Sequence, residues 1–391
     1  MDSPRGRIYQ VLQVDEGRLP ISDSFVTHID RCLGCVACET ACPSGVQYGR
    51  IVERARAQIE THYKRPMMER LVRWLFYQKI LKDFHRLAQA ARAMRFYQQS
   101  GLQSFARRSG LLKLFGMQQV ERLSPEIDPD FFFDEIGMLI PAVGEKRARV
   151  GFHAGCIANV AFSRLNYATV RLLSMNGIEV YVTPRQRCCG ALHSHAGYRE
   201  DARQQARKNI DTFLDGSQHY DAILTNAAGC GSTLKEYDDL LENDLAYKGR
   251  AHEFAGKVKD VTEFLAQIGL RPPQKKCDHK VTYQDPCHLA HAQRVRNAPR
   301  DLLKTVGADI VELPHWDQCC GSAGTYNVTQ TELSMKILDA KMDDVRSVAS
   351  SIEMVVTANV GCMLQVRAGM QKSGLDLPVK HVIEVLNECY Y

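Results

Sequence analysis

At 391 residues the chain is too long for one ordinary domain and long enough to bury two or three cores. Its 45% hydrophobic, 24% charged and 8% aromatic residues are those of a soluble globular protein, and no run approaches the roughly 18 apolar residues of a membrane-spanning helix. Fourteen cysteines behind a polar N-terminus argue against a secreted disulfide framework and for thiol ligation of metal, with a cytoplasmic location as the default.

Net charge is +5, but it is uneven: residues 61–120 hold 12 Lys and Arg against Glu69 and Asp83, which gives +10 there and −5 elsewhere. Four cysteines lie between 32 and 42, none between 43 and 155, and ten from 156 onward.

The first group reads Cys32-x2-Cys35-x2-Cys38-x3-Cys42-Pro43. That spacing predicts a ferredoxin-type [4Fe-4S] site: one short loop wraps the cluster, thiolate sulfur suits iron, and Pro43 redirects the chain. A tetrathiolate zinc site is the rival, although three equal three-residue steps suit it poorly. The motif usually occurs twice, the fourth cysteine of each copy serving the other cluster. With one copy present, Cys42 completes its own cluster, or a second motif is missing, or a partner contributes.

Residues 61–120 read as helical, with Tyr77, Ile80, Leu81, Phe84, Leu87, Ala88, Ala91 and Met94 at three- and four-residue spacing and Lys79, Lys82 and Arg86 opposite. This basic stretch is a solvated face over a core, or a dock for an acidic partner or anionic lipid headgroups. No nucleic-acid reader motif accompanies it.

From Cys156 onward the chain repeats itself. Cys156 returns as Cys287 at a shift of 131, Cys188-Cys189-Gly190 as Cys319-Cys320-Gly321 at 131, and Gly229-Cys230 as Gly361-Cys362 at 132. Each landmark follows an apolar, strand-prone run: Arg149 to Phe152, Ile178 to Val182, Ala222 to Thr225, then Val281 to Tyr283, Ile310 to Leu313 and Met354 to Val356. Helical stretches such as Ala161 to Met175 and Ala202 to Leu214 separate them. Strand–helix alternation predicts parallel α/β sheets, with the cysteines beyond the carboxyl ends of the strands. Adjacent cysteines cannot readily serve one small ion but can reach two metals of a cluster, so Cys156, Cys188, Cys189, Cys230, Cys287, Cys319, Cys320 and Cys362 are expected metal ligands, with zinc in one repeat as the rival. The expected division is a ferredoxin-type segment (1–60), a basic helical region (61–145) and two cysteine-rich α/β domains (146–270 and 277–391). Cys277 and Cys389 lack repeat partners and read as ordinary thiols. His193, His195, His288 and His291 read as polar loop residues, with roles as donors to ligands or as flavin or quinone contacts in second place. None is assigned as catalytic.

No G-x-G-x-x-G follows a strand and no Walker loop is present; clusters pass electrons singly, whereas two-electron oxidation of a substrate such as an alcohol or hydroxy acid needs an organic cofactor, so a flavin is expected in a partner.

With the cluster motif and both Cys-Cys-Gly repeats in hand, the chain resembles the iron-sulfur subunits of glycolate oxidase over essentially its full length. The resemblance is carried by Ser3 to Tyr9, Asp30 to Gly49, Cys188 to His193, Gly229 to Gly231, Asp285 to His288, Cys319 to Gly324 and Ala358 to Cys362. It implies an electron-transfer subunit, without a complete active site of its own, that takes electrons from an FAD-containing subunit oxidising glycolate or D-lactate and passes them towards quinone, peripheral to the inner face of the membrane. The repeats are also similar to the CCG domains of heterodisulfide reductase, which hold noncubane [4Fe-4S] clusters. Two departures stand out. The family's further cysteine motif before the Pro-Arg-Gly-Arg-Ile-Tyr block is not seen here, and the C-x-x-C ending each heterodisulfide reductase repeat has Ala227 and Asn359 at its first position. The alternatives are a catalytic heterodisulfide- or quinone-reductase-type subunit, a subunit of a lactate or glycerol 3-phosphate dehydrogenase, or a zinc scaffold.

Overall fold

A computed structural model describes residues 1–114 and 117–390. Among these, the strands form two sheets with the same wiring. The first contains β1 (Leu139–Ile140), β2 (Ala148–Phe152), β3 (Ile178–Tyr181), β4 (Ala222–Thr225) and β5 (Val258–Asp260) in the order β1-β3-β2-β4-β5. The second contains β6 (Lys280–Gln284), β7 (Asp309–Ile310), β8 (Met354–Thr357) and β9 (Val379–His381) in the order β7-β6-β8-β9. All pairings are parallel except the short antiparallel β1–β3 edge. The inner strands are apolar on both faces: Val150, Phe152, Ile223, Leu224, Val281, Tyr283, Val355 and Val356 are all buried, as strands covered by helices on both sides must be.

In each sheet the chain leaves its first strand for a neighbour on one side and then crosses to the other side. Val150 pairs with both Val180 and Ala222, and Val281 with both Ile310 and Met354. A crevice beyond the carboxyl ends of the strands results, the usual binding position in such sheets.

The run Ile310 to Leu313 proves a shorter strand than its sequence implies. β7 is an edge strand whose last ladder bond is Val311 N–H to Val281 O (2.8 Å), after which Pro314 turns the chain away. β1, β5 and β9 are two or three residues each, too short for any alternation to show.

The two units exchange helix contacts. Helix Ser163–Met175 of the first packs on Val382–Glu388 of the second, and Val261–Ile268 of the first packs on Asn297–Thr305 of the second. In both cases the helix after a unit's first strand meets the helix after the other's last strand, an approximate twofold arrangement that buries one continuous core. A close approach supports it: a Cβ on Gly231 would stand 2.7 Å from the Gln293 amide, which donates to Ala228 O at 2.9 Å across the junction.

Helices Pro4–Asp15, Asp23–Asp30 and Tyr48–His62 enclose a small separate core of Phe25, Val26, Ile29, Val52, Ala55 and Ile59. The basic stretch is helical, as its spacing implies, but interrupted. Met67–Arg73 continues through a wide turn, Trp74–Ile80, and a new helix, Phe84–Gln99, begins where the Asp83 carboxylate caps His85 N–H at 2.8 Å. Tyr77, Leu81, Leu87, Ala88 and Ala91 face inward, whereas Met94 is exposed. Among the described residues no helix is long and apolar enough to cross a membrane.

Candidate metal centre

In the first unit Cys156 follows β2, Cys188 and Cys189 follow β3, and Cys230 sits in the first turn of helix Ala228–Lys235 after β4. The Cys156 and Cys188 sulfurs are 3.4 Å apart, and Cys189 bridges Cys188 and Cys230. Hydrogen bonds from the Cys156 and Cys189 thiols hold Cys188 well below the usual thiol range, with His193 adding to the effect. The partners are pushed up correspondingly, Cys156 by its contact with Cys188 and by burial. The glycine completing each Cys-Cys-Gly has a positive φ, +89° at Gly190 and +88° at Gly321, and lies against a helix, so a side chain there is both strained and obstructed.

The second unit repeats the design. Cys287 and Cys319 sulfurs are 4.0 Å apart, and Cys320 reaches both Cys319 and Cys362. Gly321 N–H donates to Cys319 Sγ at 3.4 Å. Asn359, where the heterodisulfide reductase pattern has cysteine, donates its amide to Cys362 Sγ at 3.3 Å, while Ala227 at the matching position offers no such donor.

The surroundings of the two quartets differ. His193 is buried in the helix Ala191–His195; Nε2 meets Tyr77 O at 2.9 Å, Nδ1 is buried without a hydrogen-bond partner, and the ring helps to lower Cys188. At the matching position of the second unit stands Gly324, and there a fully buried lysine, Lys341, donates to His315 O at 2.7 Å with its charge felt by Cys320 and Cys319.

The N-terminal loop folds around Cys32, which is buried and accepts hydrogen bonds from Gly34 N–H (3.4 Å) and Tyr48 OH (3.5 Å). Left-handed backbone at Gly34 (φ +70°) and Val36 (φ +52°) bends the loop. Burial pushes Cys35 and Cys38 up to about 11; after burial, the strongest influence on Cys35 is Cys287, and on Cys38 it is Cys35 and then Cys32. Cys42 is set apart. Backbone N–H groups of Val46, Ser44 and Gly45, with Arg5 nearby, lower it.

This loop is fastened to the second unit: His288 Nε2 meets Gly34 O at 3.0 Å, His291 Nδ1 meets Thr40 Oγ1 at 3.1 Å, and Tyr326 OH donates to Arg31 O at 3.0 Å. The helix after it is fastened to the first unit, where Glu53 takes Ser194 Oγ and His195 Nδ1 at 2.7 Å each. Burial would raise Glu53, but these bonds and the His195 and Arg199 charges hold it at about 2. His195 and His288, one from each unit, stand with ring centres 5.2 Å apart. The four histidines are therefore ordered contacts, not free polar loop residues.

All eight repeat cysteines line one cavity of about 970 Å³ between the units, together with Leu33 beside Cys32, the two facing histidines, and Ala90, Met94 and Tyr97 of the basic helical segment. The walls are otherwise largely aliphatic. All fourteen cysteines are free thiols. Among the described residues no three His, Cys, Asp or Glu side chains group around a single-ion position. Soft donors crowded along the wall of a roomy chamber fit a polynuclear iron–sulfur group, with Cys156, Cys188, Cys189 and Cys230 to hold one and Cys287, Cys319, Cys320 and Cys362 another.

Comparison with known proteins agrees with this arrangement. The "Cysteine-rich domain" family matches residues 150–235 and 281–367, and the family "Glycolate oxidase iron-sulfur subunit, linker region" matches 68–124. A Bacillus subtilis (strain 168) protein named "Probable glycolate oxidase iron-sulfur subunit" is 38% identical over 400 residues, covering 99% of this chain and 88% of that protein. The chain belongs to the glycolate oxidase iron-sulfur subunit family. The Escherichia coli (strain K12) glycolate oxidase iron-sulfur subunit is 32% identical over the same shares of the two chains, and lactate utilization protein A of Macrococcus caseolyticus is 31% identical over 61% of this chain and 96% of its own length.

Within this family member the fold sharpens two features of the sequence. His193, which the sequence offers as a donor to ligands only in second place, is held beside Cys188 by a short helix, Ala191–His195, that the motif does not reveal. Cys277 and Cys389, which read as unrelated thiols, lie together: contact with Cys389 brings Cys277 down to about 7, and Cys389 is raised in turn.

Proposed function

We propose that this chain is the iron–sulfur electron-transfer subunit of a flavin-dependent glycolate or D-lactate oxidase, carrying electrons from FAD in a partner subunit towards quinone. The observation that carries this reading is the gathering of eight thiols, six of them buried and Cys230 and Cys287 partly so, from six separate strand ends around one chamber against which the Cys32 loop is packed. Bound iron–sulfur clusters supply one-electron storage and transfer, which no protein side chain here offers. In this reading Cys32, Cys35, Cys38 and Cys42 belong to a ferredoxin-type segment of residues 1–60, and the two quartets to domains 146–270 and 277–391.

The chain's own residues do the positioning. The Glu53 clasp on Ser194 and His195 and the His288 bond to Gly34 O tie the N-terminal loop to both units, fixing the separations on which electron transfer depends. The Asn359 amide donates to Cys362 Sγ, and His193, buried beside Cys188, helps to lower that thiol.

The aliphatic chamber favours a second reading, in which this chain itself reduces a quinone or disulfide at a cysteine centre. Anaerobic reconstitution with iron and sulfide separates the cases. Iron, acid-labile sulfide and visible absorbance that fall on Cys→Ser change in either quartet support ligation. Zinc without sulfide overturns it. Turnover of quinone or disulfide by a chemically reduced chain lacking flavoprotein favours the second reading.

A further inference from the structure

The helix Met67–Arg73 and the turn that continues it display an outward apolar stripe. Met67, Met68, Leu71, Val72, Trp74 and Leu75 are 83%, 67%, 54%, 59%, 48% and 50% exposed. At 3.6 residues per turn these six fall within an arc of about 160°. The other side clamps the helix to the protein: Arg73 donates to Ala196 O and pairs with Glu60, both at 2.7 Å, and Tyr77 OH meets Thr325 Oγ1 at 2.8 Å. The stripe is therefore held outward by specific bonds on its reverse face. Isolated exposed apolar residues are ordinary, but six on one helical arc mark an interaction surface.

Charge indicates what covers it. The stripe lies in the segment carrying +10. Lys64, Arg70 and Lys79 around it have no carboxylate partner among the described residues, whereas Arg65 and Arg73, on the protein side, are paired. Lys79 Nζ lies 4.7 Å from the Trp74 ring centre. Flexible aliphatic side chains flanked by unpaired cations, with a tryptophan beside a lysine at the border, are complementary to acyl chains beneath anionic headgroups.

We propose that residues Met67–Ile80 seat this chain on an anionic bilayer, with the stripe in the acyl boundary and Lys64, Arg70 and Lys79 at the headgroups. This goes beyond the electron-transfer reading and does not depend on which metal the cysteines hold. It has a consequence for that reading: Phe76, directly after Leu75 of the stripe, is part of the chamber wall, so a lipid-dissolved acceptor would have a short approach to the cysteines.

The chain has two tryptophans, Trp74 and Trp316, so a W316F variant makes Trp74 the sole reporter. The full-length chain is mixed with phosphatidylglycerol-containing vesicles that also carry acyl-brominated phosphatidylcholine, and with purely zwitterionic vesicles. The expected result is quenching of Trp74 by the anionic vesicles alone, weakened by salt, and a drop of about tenfold or more in partitioning for L71E/L75E, whose sites are solvent-exposed and whose iron content and circular dichroism should match the parent. Unquenched Trp74, or unchanged partitioning of L71E/L75E, overturns the proposal. So does shielding of Trp74 from acrylamide by the flavoprotein subunit with exclusion of vesicles, which would make the stripe a protein interface.

Discussion

Asp260 and His381 occupy the same place in the two units. Each ends the last strand of its sheet, caps the following helix through N–H groups of Thr262 or Ile383, and is matched by a glutamate three residues on. Both are 1% exposed, and burial pushes them in opposite chemical senses: Asp260 up to about 6, His381 down to about 4. The folded state thus prefers both side chains uncharged. For Asp260 the folded value lies above the ordinary 3.8, so its stabilising contribution is full below 3.8 and is lost as pH rises through 6. For His381 the folded value lies below 6.5, so its contribution is present above 6.5 and is lost as pH falls towards 4. Relative to the parent, D260N should gain on the order of 2 kcal/mol between pH 4 and 8, and H381N should gain a similar amount between pH 7 and 4. Denaturant unfolding of the variants across pH measures both slopes, and parallel slopes for the two would contradict the assignment.

The glycines after the paired cysteines should not tolerate alanine, and not equally. A Cβ at Gly321 would stand 2.6 Å from Ser334 O, a backbone atom, while one at Gly190 would stand 3.2 Å from Ala202 Cα. Left-handed backbone alone costs about 1–2 kcal/mol, so G190A is expected to lose about 1–2 kcal/mol and G321A about 3 kcal/mol. Because each glycine directly follows a thiol, iron content of the reconstituted variants should fall in the same order.

What could be read from the sequence follows from how local each signal is. The apolar runs before Cys156, Cys188 and Cys230 are four or more residues of buried parallel strand, and they declare themselves. The partnership of Asp260 and His381 does not, because the repeat offset of 131 shrinks to 121 by β5 and β9, and three-residue strands carry no periodicity. The eight cysteines were visible as two sets, but their meeting in one chamber depends on helices 163–175 and 261–268 crossing to the opposite unit, a tertiary exchange no spacing records. His193 looked like a polar loop residue because the group that fixes its ring, Tyr77 O, lies 116 positions away, although Cys188 is only five residues before it. Cys277 and Cys389 are 112 positions apart, and only the fold places them side by side.

His193 should support the first cysteine quartet and leave the second untouched. Its ring is fixed through Nε2 by Tyr77 O, leaving Nδ1 buried and free to serve the Cys188 side when metal binds, and Gly324 leaves the second unit without a counterpart. Loss of such a supporting donor typically costs about 10–100-fold in metal affinity. H193A is therefore expected to release roughly half of the quartet-bound iron at chelator concentrations the parent resists, while H193Q, which keeps a donor, retains most of it. Chelator titration followed by electron paramagnetic resonance of what remains would test this, and equal loss of both signals would contradict it.

The four cysteines of the N-terminal motif should not respond alike to serine substitution. Cys32, Cys35 and Cys38 act on one another, and Cys35 also faces Cys287. Cys42 is governed instead by the N–H groups of Val46, Ser44 and Gly45 and by Arg5, which favour its thiolate without any other thiol among its main neighbours. A thiolate prepared by backbone donors but standing apart from its motif is what a ferredoxin arrangement produces when the fourth cysteine serves a different cluster from the first three. In the anaerobically reconstituted chain, C32S, C35S and C38S should each abolish the cluster bound by this loop, whereas C42S should leave its absorbance and iron nearly unchanged. Equal loss in all four variants would instead make Cys42 a ligand of the same cluster.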